Sequence, residues 1–336
     1  MRIHPFPHFS SFAAPLALVA VAGAIAAAVD RFVPPAELAG ITRPANEFGN
    51  PEIRTGTDAY PRQAIDSDGY TVRITHPARR IVSQYWSLDE YLYSVLPPER
   101  VVAVSAAAYD PSFSNVNRQV QQFHPAIASD VETVLRLNPD LVLVSNSADA
   151  DFCALMRSTG VPVYRAYTNF TTLRQVAESI RLIGYLTGDE GGAEQSLARF
   201  QAAVAKARSM RPPGAPRPRI LGFEGGYCNG SGTLFDDEVK TLGGVNVAAE
   251  GGLKGSDSVN TEQIIRWNPE WIVTGANRGE SKKTLTRLLT DPGIALTQAA
   301  RNGHILVFEN NVYQPMSPFS TLLMSGMAEA IYGPGR

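Results

Sequence analysis

Short apolar runs alternate with amphipathic segments along the chain from about residue 66 onward. The runs predict buried strands and are RIVSQ (80–84), VVAVS (101–105), LVLVS (141–145), VPVYR (161–165), RILGFE (219–224), WIVTG (271–275) and HILVFE (304–309). The segments between them predict helices at 87–96, 130–137, 149–158, 236–244, 281–289 and 317–332. Strands and helices that alternate at this spacing indicate parallel sheets covered by helices.

Two longer helices are predicted in the middle of the chain. TTLRQVAESIRLIGYLTG (171–188) places apolar residues on one side at helical spacing, and DEGGAEQSLARFQAAVAKARSM (189–210) follows it. The second helix would be about 33 Å long at 1.5 Å per residue. RPPGAPRPR (211–219) then ends the helical pattern with its prolines. We therefore expect one long, rigid helix between two α/β lobes.

One stretch of sequence occurs twice. LRLNPDLVLVS (135–145) and IRWNPEWIVTG (265–275) share Asn-Pro, an acidic residue and a short apolar run, 130 residues apart. Asp130-x-Glu132 and Asn260-x-Glu262 precede them at the same offset, each as the capped first turn of a short helix. The repeat predicts duplicated lobes at 66–168 and 219–333, with a helical connector at 169–218.

The N-terminus has the pattern of a secretory signal. Residues 13–29 are an uncharged apolar run that follows one Arg and two His, and Ala26-Ala27-Ala28 offers a cleavage site. We expect a signal peptide at 1–28, export from the cytoplasm, and a Pro-rich linker at 29–65. An uncleaved membrane anchor is the alternative, although about 17 residues is the lower limit for spanning a bilayer.

Composition narrows the classes of partner. A net charge of −2 gives no electrostatic reason to bind nucleic acid. The five histidines are scattered without metal-ligand spacing, so we expect no metal site and no intrinsic cofactor. Cys153 and Cys228 match no CxxC pattern; unpaired thiols are favoured, and a disulfide stays open.

The ordered set of motifs resembles a known family. Asp66-x-x-Gly69-x-x-Val72 followed by RIVS, the helix–NPD–LVLV unit, its repeat and the long helix are similar to the periplasmic binding proteins for iron complexes and cobalamin. These are the class III receptors of ATP-binding cassette (ABC) importers. The resemblance covers roughly residues 66–333. It implies two lobes, a ligand cleft between them, and a monomer that delivers its ligand to a membrane permease.

The resemblance also implies where the permease docks. A glutamate on each lobe of these receptors meets arginines of the permease, and the matching positions here are Glu132 and Glu262. A second interpretation is that each glutamate only complements the dipole of its helix. Both interpretations can hold together.

Candidate ligand-binding residues lie where strands are predicted to end. Ligands of open α/β sheets bind at the carboxyl ends of the strands, and those loops carry Tyr85, Trp86, Tyr109, Tyr227, Lys254 and Tyr313. Aromatic faces there suit a planar ligand, although each could instead pack against its own lobe. We expect an iron chelate, haem or a cobalamin-type corrinoid. An anionic siderophore would need clustered arginines; Arg118 and Arg278 are candidates, and nothing brings them together.

Two other functions stay open on the sequence. An exported α/β enzyme is one, but the chain has no G-x-S-x-G nucleophile motif, and its glycine-rich GFEGGYCNGSG segment lacks the spacing of a phosphate-binding loop. A ligand sensor held at the membrane by an uncleaved N-terminus is the other.

Overall fold

The computed structural model describes residues 60–122 and 130–333. The predicted signal peptide, the alternative membrane anchor and residues 29–59 of the linker lie outside the described residues. Within these ranges, no helix is long and apolar enough to cross a membrane.

The described chain begins with a hairpin. Strands β1 (Arg62–Ile65) and β2 (Thr71–Ile74) pair antiparallel, and Gly69 takes the positive φ of 83° that their connection requires. Asp-Gly, here Asp68-Gly69, is a dipeptide that favours such hairpin turns. We expected the Pro-rich linker to extend to residue 65, but its last four residues form β1. They become a strand because they pair with β2, and their own composition does not indicate that pairing.

The N-terminal lobe is a parallel four-stranded sheet with the order β4–β3–β5–β6. Its strands are β3 (Ile81–Ser83), β4 (Val101–Ala103), β5 (Leu141–Ser145) and β6 (Val163–Ala166), and its helices are α1 (Trp86–Val95), α2 (Val131–Arg136) and α3 (Ala150–Ser158). Every residue of β5 is buried because helices cover both faces of the sheet.

Two helices connect the lobes: α4 (Leu173–Thr187) and α5 (Glu190–Ser209). Thr172 and Gln175 form a capping box at the start of α4, Gly188 ends it in the left-handed conformation, and Asp189 caps α5. These local signals make the boundaries close to those predicted from the sequence.

The C-terminal lobe contains a parallel sheet with the order β9–β7–β11–β12. Its parallel strands are β7 (Arg219–Glu224), β9 (Val245–Asn246), β11 (Trp271–Ala276) and β12 (Ile305–Glu309), and β8 (Tyr227–Asn229) and β10 (Ser256–Ser258) extend it in antiparallel fashion beside β7. Its helices are α6 (Leu234–Thr241), α7 (Val247–Glu250), α8 (Thr261–Trp267), α9 (Ser281–Thr290), α10 (Gln298–Arg301), α11 (Asn310–Tyr313) and α12 (Thr321–Tyr332).

The two lobes repeat one plan. In chain order, each parallel sheet places its second strand beside the first, then its third and fourth on the other side. Asp130 and Asn260 cap α2 and α8, and these helices end before Asn138 and Asn268, whose φ values are 46° and 42°. Among residues 60–122 and 130–333, only these two non-glycine residues have positive φ. The correspondence extends from the sequence repeat to the backbone and supports the predicted duplication.

One apolar core passes from lobe to lobe. It contains Leu92 of α1, Val176 of α4, Phe200 of α5 and Met324 of α12, all buried. Helix α5 packs on α1 and α4 and also on α12, so it contacts elements of both lobes. Smaller cores cover the opposite face of each sheet. The shared core resists relative movement of the lobes.

Replacing Asn138 tests the strain at the repeated turn. Its side chain is exposed and makes no hydrogen bond within the described chain, so its conformation is its main contribution. For a residue with a Cβ other than Asn, the left-handed conformation costs about 1–2 kcal/mol of conformational free energy. We expect Asn138→Ala to lower the free energy of unfolding by about 1 kcal/mol and Asn138→Gly to leave it unchanged or raise it, as measured by urea denaturation. Asn302→Ala is the control, because Asn302 follows a helix with φ of −96°; equal losses at both positions would contradict the assignment.

Candidate functional site

The carboxyl-end edges of the two sheets face each other. Asn115 lies on the loop after β4, and Asn311 lies in α11, which begins where β12 ends. Asn115 Nδ2 donates to Asn311 O at 2.7 Å, and Asn311 Nδ2 donates to Asn115 Oδ1 at 3.2 Å. Loops that follow strands of different lobes therefore touch. The cleft beside this contact is the candidate site, since open α/β sheets bind ligands outside the carboxyl ends of their strands.

A buried glutamate joins the lobes at the same place. Glu90 of α1 is 0% exposed. Its Oε1 accepts from the backbone N of Asn115 at 2.8 Å and from Asn115 Nδ2 at 2.9 Å, and its Oε2 accepts from Ser317 Oγ at 2.5 Å. We call Glu90, Asn115, Asn311 and Ser317 the interlobe clasp. It fixes the floor of the cleft.

The neighbouring Asp89 is buried as well. Its Oδ2 accepts from Ser105 Oγ at 2.6 Å and from Ser105 N at 3.2 Å, whereas its Oδ1 has no hydrogen-bond partner in the described chain. Burial raises the pKa of Asp89 to about 7, against its ordinary 3.8, and raises that of Glu90 to about 7, against 4.5. Adjacent buried carboxyls thus lie beneath the N-terminal side of the cleft.

Aromatic residues lie at the carboxyl-end edge of the N-terminal sheet, which we call the N-terminal wall. Tyr85 is the extended residue that precedes α1, Trp86 is the first residue of α1, and their ring centroids lie 5.9 Å apart. Tyr109 ends a 3-10 helix after β4. All three are half-buried and lie at the strand ends where we expected them. Tyr167, which directly follows β6 and is also half-buried, belongs to the same edge; its position after a strand could have marked it.

The C-terminal wall begins with a tight hairpin. Glu224 of β7 pairs with Tyr227 of β8, and Gly225 and Gly226 between them have φ values of 60° and 93°. Two consecutive positive φ values define a type I′ turn, which glycine adopts without strain. Tyr227 is 41% exposed at this turn. We expected a loop here; the pairing with β7 and β10 makes the segment a strand. Lys254 is exposed, on the loop that bridges to Ser231.

Tyr313 is placed differently from the expectation. We predicted a loop residue that presents its ring, but Tyr313 ends α11 and is only 8% exposed. Its ring packs near Phe235, and its hydroxyl accepts from Asn229 Nδ2 at 3.2 Å. The side chain therefore belongs to the apolar core that the lobes share, and its contact with a ligand stays a prediction.

A polar cluster that we did not predict lies beside Tyr313. Glu224 Oε2 accepts from Gln314 Nε2 at 2.8 Å, and Asn310 Nδ2 donates to Asn277 Oδ1 at 3.2 Å. Burial raises the pKa of Glu224 above its ordinary value. Glu224, Asn277 and Asn310 each end or follow a strand, and that position is the signal that could have identified them.

The candidate cations form no ion pair in the described part of the chain. Arg118 follows β4 in one lobe, Arg278 follows β11 in the other, and both are exposed without an ion pair to the described part of the chain. Arg165 at the end of β6 is committed elsewhere, because its guanidinium pairs with Asp68 of the hairpin at 2.8 Å. The ion pairs of residues 60–122 and 130–333 therefore neither use these two arginines nor bring them together.

The two predicted docking glutamates occupy equivalent positions. Glu132 and Glu262 are the second residues of α2 and α8, and both are exposed. A crossover helix runs antiparallel to its strands, so its first turn lies toward the edge where the strands end. Each glutamate is therefore on the cleft side of its own lobe.

Comparison with known proteins identifies the family. The sequence profile described as "Periplasmic binding protein" matches residues 81–312. The chain belongs to the periplasmic binding protein family. A cobalamin-binding protein of Halobacterium salinarum is 26% identical over 279 residues, which cover 82% of this chain and 75% of that protein.

Solved structures show the same fold. A possible iron-binding, periplasmic solute-binding protein of Staphylococcus epidermidis has a TM-score of 0.67 at 20% identity, covering 76% of this chain and 100% of the other. The periplasmic heme-binding protein RhuT of Roseiflexus has a TM-score of 0.65 at 24% identity, covering 76% and 98%. The expected two-lobed α/β fold is confirmed. Periplasmic binding proteins of this kind are solute receptors, so this protein is not an enzyme.

The buried acid pair makes a prediction about stability and pH. Because folding raises both pKa values, the folded state binds more protons than the unfolded state between about pH 5 and 7. The free energy of unfolding should therefore fall as the pH rises through about 7. We expect a higher urea midpoint at about pH 5.5 than at about pH 8, and a weaker pH dependence in Glu90→Gln, which retains the shape of the clasp. Glu194→Gln, at an exposed position of α5, should behave as wild type; an undiminished slope in Glu90→Gln would contradict the assignment.

Proposed function

We propose that this protein is an extracytoplasmic receptor of an ABC importer that captures a metal complex with a large planar part and delivers it to a permease. The observation that carries the proposal is the set of aromatic side chains at the carboxyl-end edges of both sheets, half-buried or exposed: Tyr85, Trp86, Tyr109, Tyr167 and Tyr227. Flat ring faces on both sides of a cleft suit a flat ligand. Cobalamin, haem and iron chelates are the ligand types concerned.

The rigidity of the cleft supports a large, preformed site. The core shared through α5 and the interlobe clasp hold the two walls at a fixed separation. A cleft that closes little must find its affinity in surface already present, which favours ligands with extensive apolar faces over small polar solutes. The named functions of relatives agree, since one binds cobalamin and another binds haem.

Permease delivery is the second part of the proposal. Glu132 and Glu262 are both exposed and occupy the same position in helices that each begin with a side-chain cap. A pair of like charges on equivalent sites suits a partner that presents basic residues to both lobes. Dipole complementation at the two helices remains compatible with this role.

Trp86 should report ligand binding. It lies at the cleft edge, whereas Trp271 is buried against His304 and Trp267 ends α8 at the other edge of the sheet. We expect cyanocobalamin or haemin to quench tryptophan fluorescence. Because a stacked aromatic residue at a binding hot spot contributes strongly, Trp86→Ala should weaken binding about tenfold or more by calorimetry.

Two variants control that experiment. Trp86→Phe should lose most of the quenching and retain most of the affinity, and Trp267→Phe should retain both. Wild-type affinity in Trp86→Ala would overturn the assignment of the N-terminal wall. Tight binding of sugars, amino acids or peptides, with no binding of corrinoid or chelate, would overturn the proposed ligand class.

The docking assignment predicts a defect in transport without a defect in binding. Glu132→Ala combined with Glu262→Ala should leave ligand affinity unchanged and lower uptake by permease vesicles about tenfold at low salt, with a smaller difference at high salt, because charge pairs at a rim act mainly on encounter. Glu99→Ala with Glu329→Ala removes two other exposed glutamates and should transport normally. Normal uptake by the first pair would exclude docking through these residues.

A further inference from the structure

Two acceptor oxygens converge above a glycine at the cleft edge of the C-terminal lobe. Gly275 lies near the end of β11, between β7 and β12. A Cβ placed on Gly275 would lie 2.4 Å from Asn310 Oδ1 and 2.7 Å from Glu224 Oε1. The missing side chain is therefore what allows a carboxylate oxygen and an amide oxygen to share this position. We call Glu224, Gly275 and Asn310 the acceptor notch.

Neither oxygen of the notch has a donor. Asn310 is 7% exposed, and its Oδ1 has no hydrogen-bond partner among residues 60–122 and 130–333. The bond from Gln314 to Glu224 uses Oε2 and leaves Oε1 without a partner in the described chain. Buried acceptors are normally satisfied, so the unsatisfied Asn310 Oδ1 indicates that a donor from outside the described chain completes it, and the neighbouring Glu224 Oε1 is open to the same donor.

The position of the notch connects this donor with the ligand. Glu224 is the last residue of β7 and adjoins the glycine turn that carries Tyr227, and Asn310 is the first residue after β12. Both therefore belong to the edge that forms the C-terminal wall. Glu224 is only partly buried, so a group that enters the cleft can reach it.

The charges around the notch limit which donor fits. Glu224 forms no ion pair with the cations that the structure describes; Arg287 of α9 acts on it only at longer range. A ligand carboxylate brought here would meet a carboxylate and an amide oxygen, which repels it, whereas a primary amide would donate its N–H groups to both.

We propose that Glu224 and Asn310 receive hydrogen bonds from a primary amide of the ligand and thereby select amide-bearing complexes over carboxylate-bearing ones. The proposal rests on the proposed receptor function and narrows its ligand class. An uncharged corrinoid, whose ring carries carboxamide arms, fits the notch. Haem, with its propionates, and ferric polycarboxylates do not.

A pair of ligands with one ring system tests the selection. Dicyanocobinamide carries amides, and dicyanocobyrinic acid carries carboxylates on the same corrin ring, so stacking on the aromatic wall is matched. We expect wild-type protein to bind the amide form at least tenfold more tightly by calorimetry. Glu224→Gln removes the charge at nearly constant shape and should reduce this preference about tenfold, chiefly by strengthening binding of the carboxylate form.

Glu250→Gln is the matched control. Glu250 pairs with Arg219 at the start of β7, the opposite end of the strand that carries Glu224, so its removal should leave the preference unchanged. Asn310→Asp adds a carboxylate to the notch and should increase the preference; it also serves if Glu224→Gln fails to fold, as judged by circular dichroism.

The outcomes separate the two proposals. If wild-type protein binds neither corrinoid nor haemin, the receptor function fails. If it binds both corrinoids equally, or if Glu224→Gln leaves the ratio unchanged, the selection is overturned while the receptor function stands. An unchanged ratio in Glu224→Gln would mean that a protonated Glu224 donates a hydrogen bond to Asn310 and that the notch needs no donor from a ligand.

Discussion

The apolar core that runs through α1, α4, α5 and α12 is the constraint on which the rest of the molecule depends. Each lobe alone is built on four parallel strands with helices on their faces, and the C-terminal sheet adds two antiparallel strands. The helices on one face of each sheet still have an apolar side that must be buried. Here α1, α4, α5 and α12 bury that side against one another across the two lobes. Burial of that common apolar surface is strongly favourable. It therefore fixes the orientation of the sheets and brings their carboxyl-end edges together.

Polar contacts refine what the core determines. Glu90 and Asn115 of one lobe reach Ser317 and Asn311 of the other, so the floor of the cleft is a hydrogen-bonded network with a buried carboxyl at its centre. Hydrogen bonds to a buried charged group are strong, but the burial itself penalises the charge. This balance connects the contact between the lobes with the predicted pH dependence of stability.

The two walls of the cleft differ in chemistry, which bears on the proposed ligand. The N-terminal wall carries half-buried aromatic residues, and the C-terminal wall combines one exposed tyrosine with a carboxylate and several amides. An arrangement of this kind suits a ligand with an apolar, planar body and polar arms.

Sequence by itself determined the local elements and the repeat. The strands at 141–145 and 219–224 match their predicted bounds, because short buried strands read as continuous apolar runs. The capped helices and the turns at Asn138 and Asn268 follow equally from local chemistry. Strands β8, β9 and β10 were not predicted, because two or three residues are too few to show an alternating pattern. Each of them is defined by its hydrogen bonds to a neighbouring strand.

Only the tertiary structure decided which distant residues meet. Ser317 reaches Glu90 across 227 positions of sequence, and no local pattern encodes that contact. Tyr313 resembled a loop aromatic until the fold buried it, while Glu224, Gly275 and Asn310 looked unremarkable until adjacent strands brought them together. The spacing of apolar residues in the sequence indicates which face of a helix or strand a side chain lies on. The packing of whole elements decides what lies opposite that face, because that packing is determined by long-range burial and not by neighbouring residues.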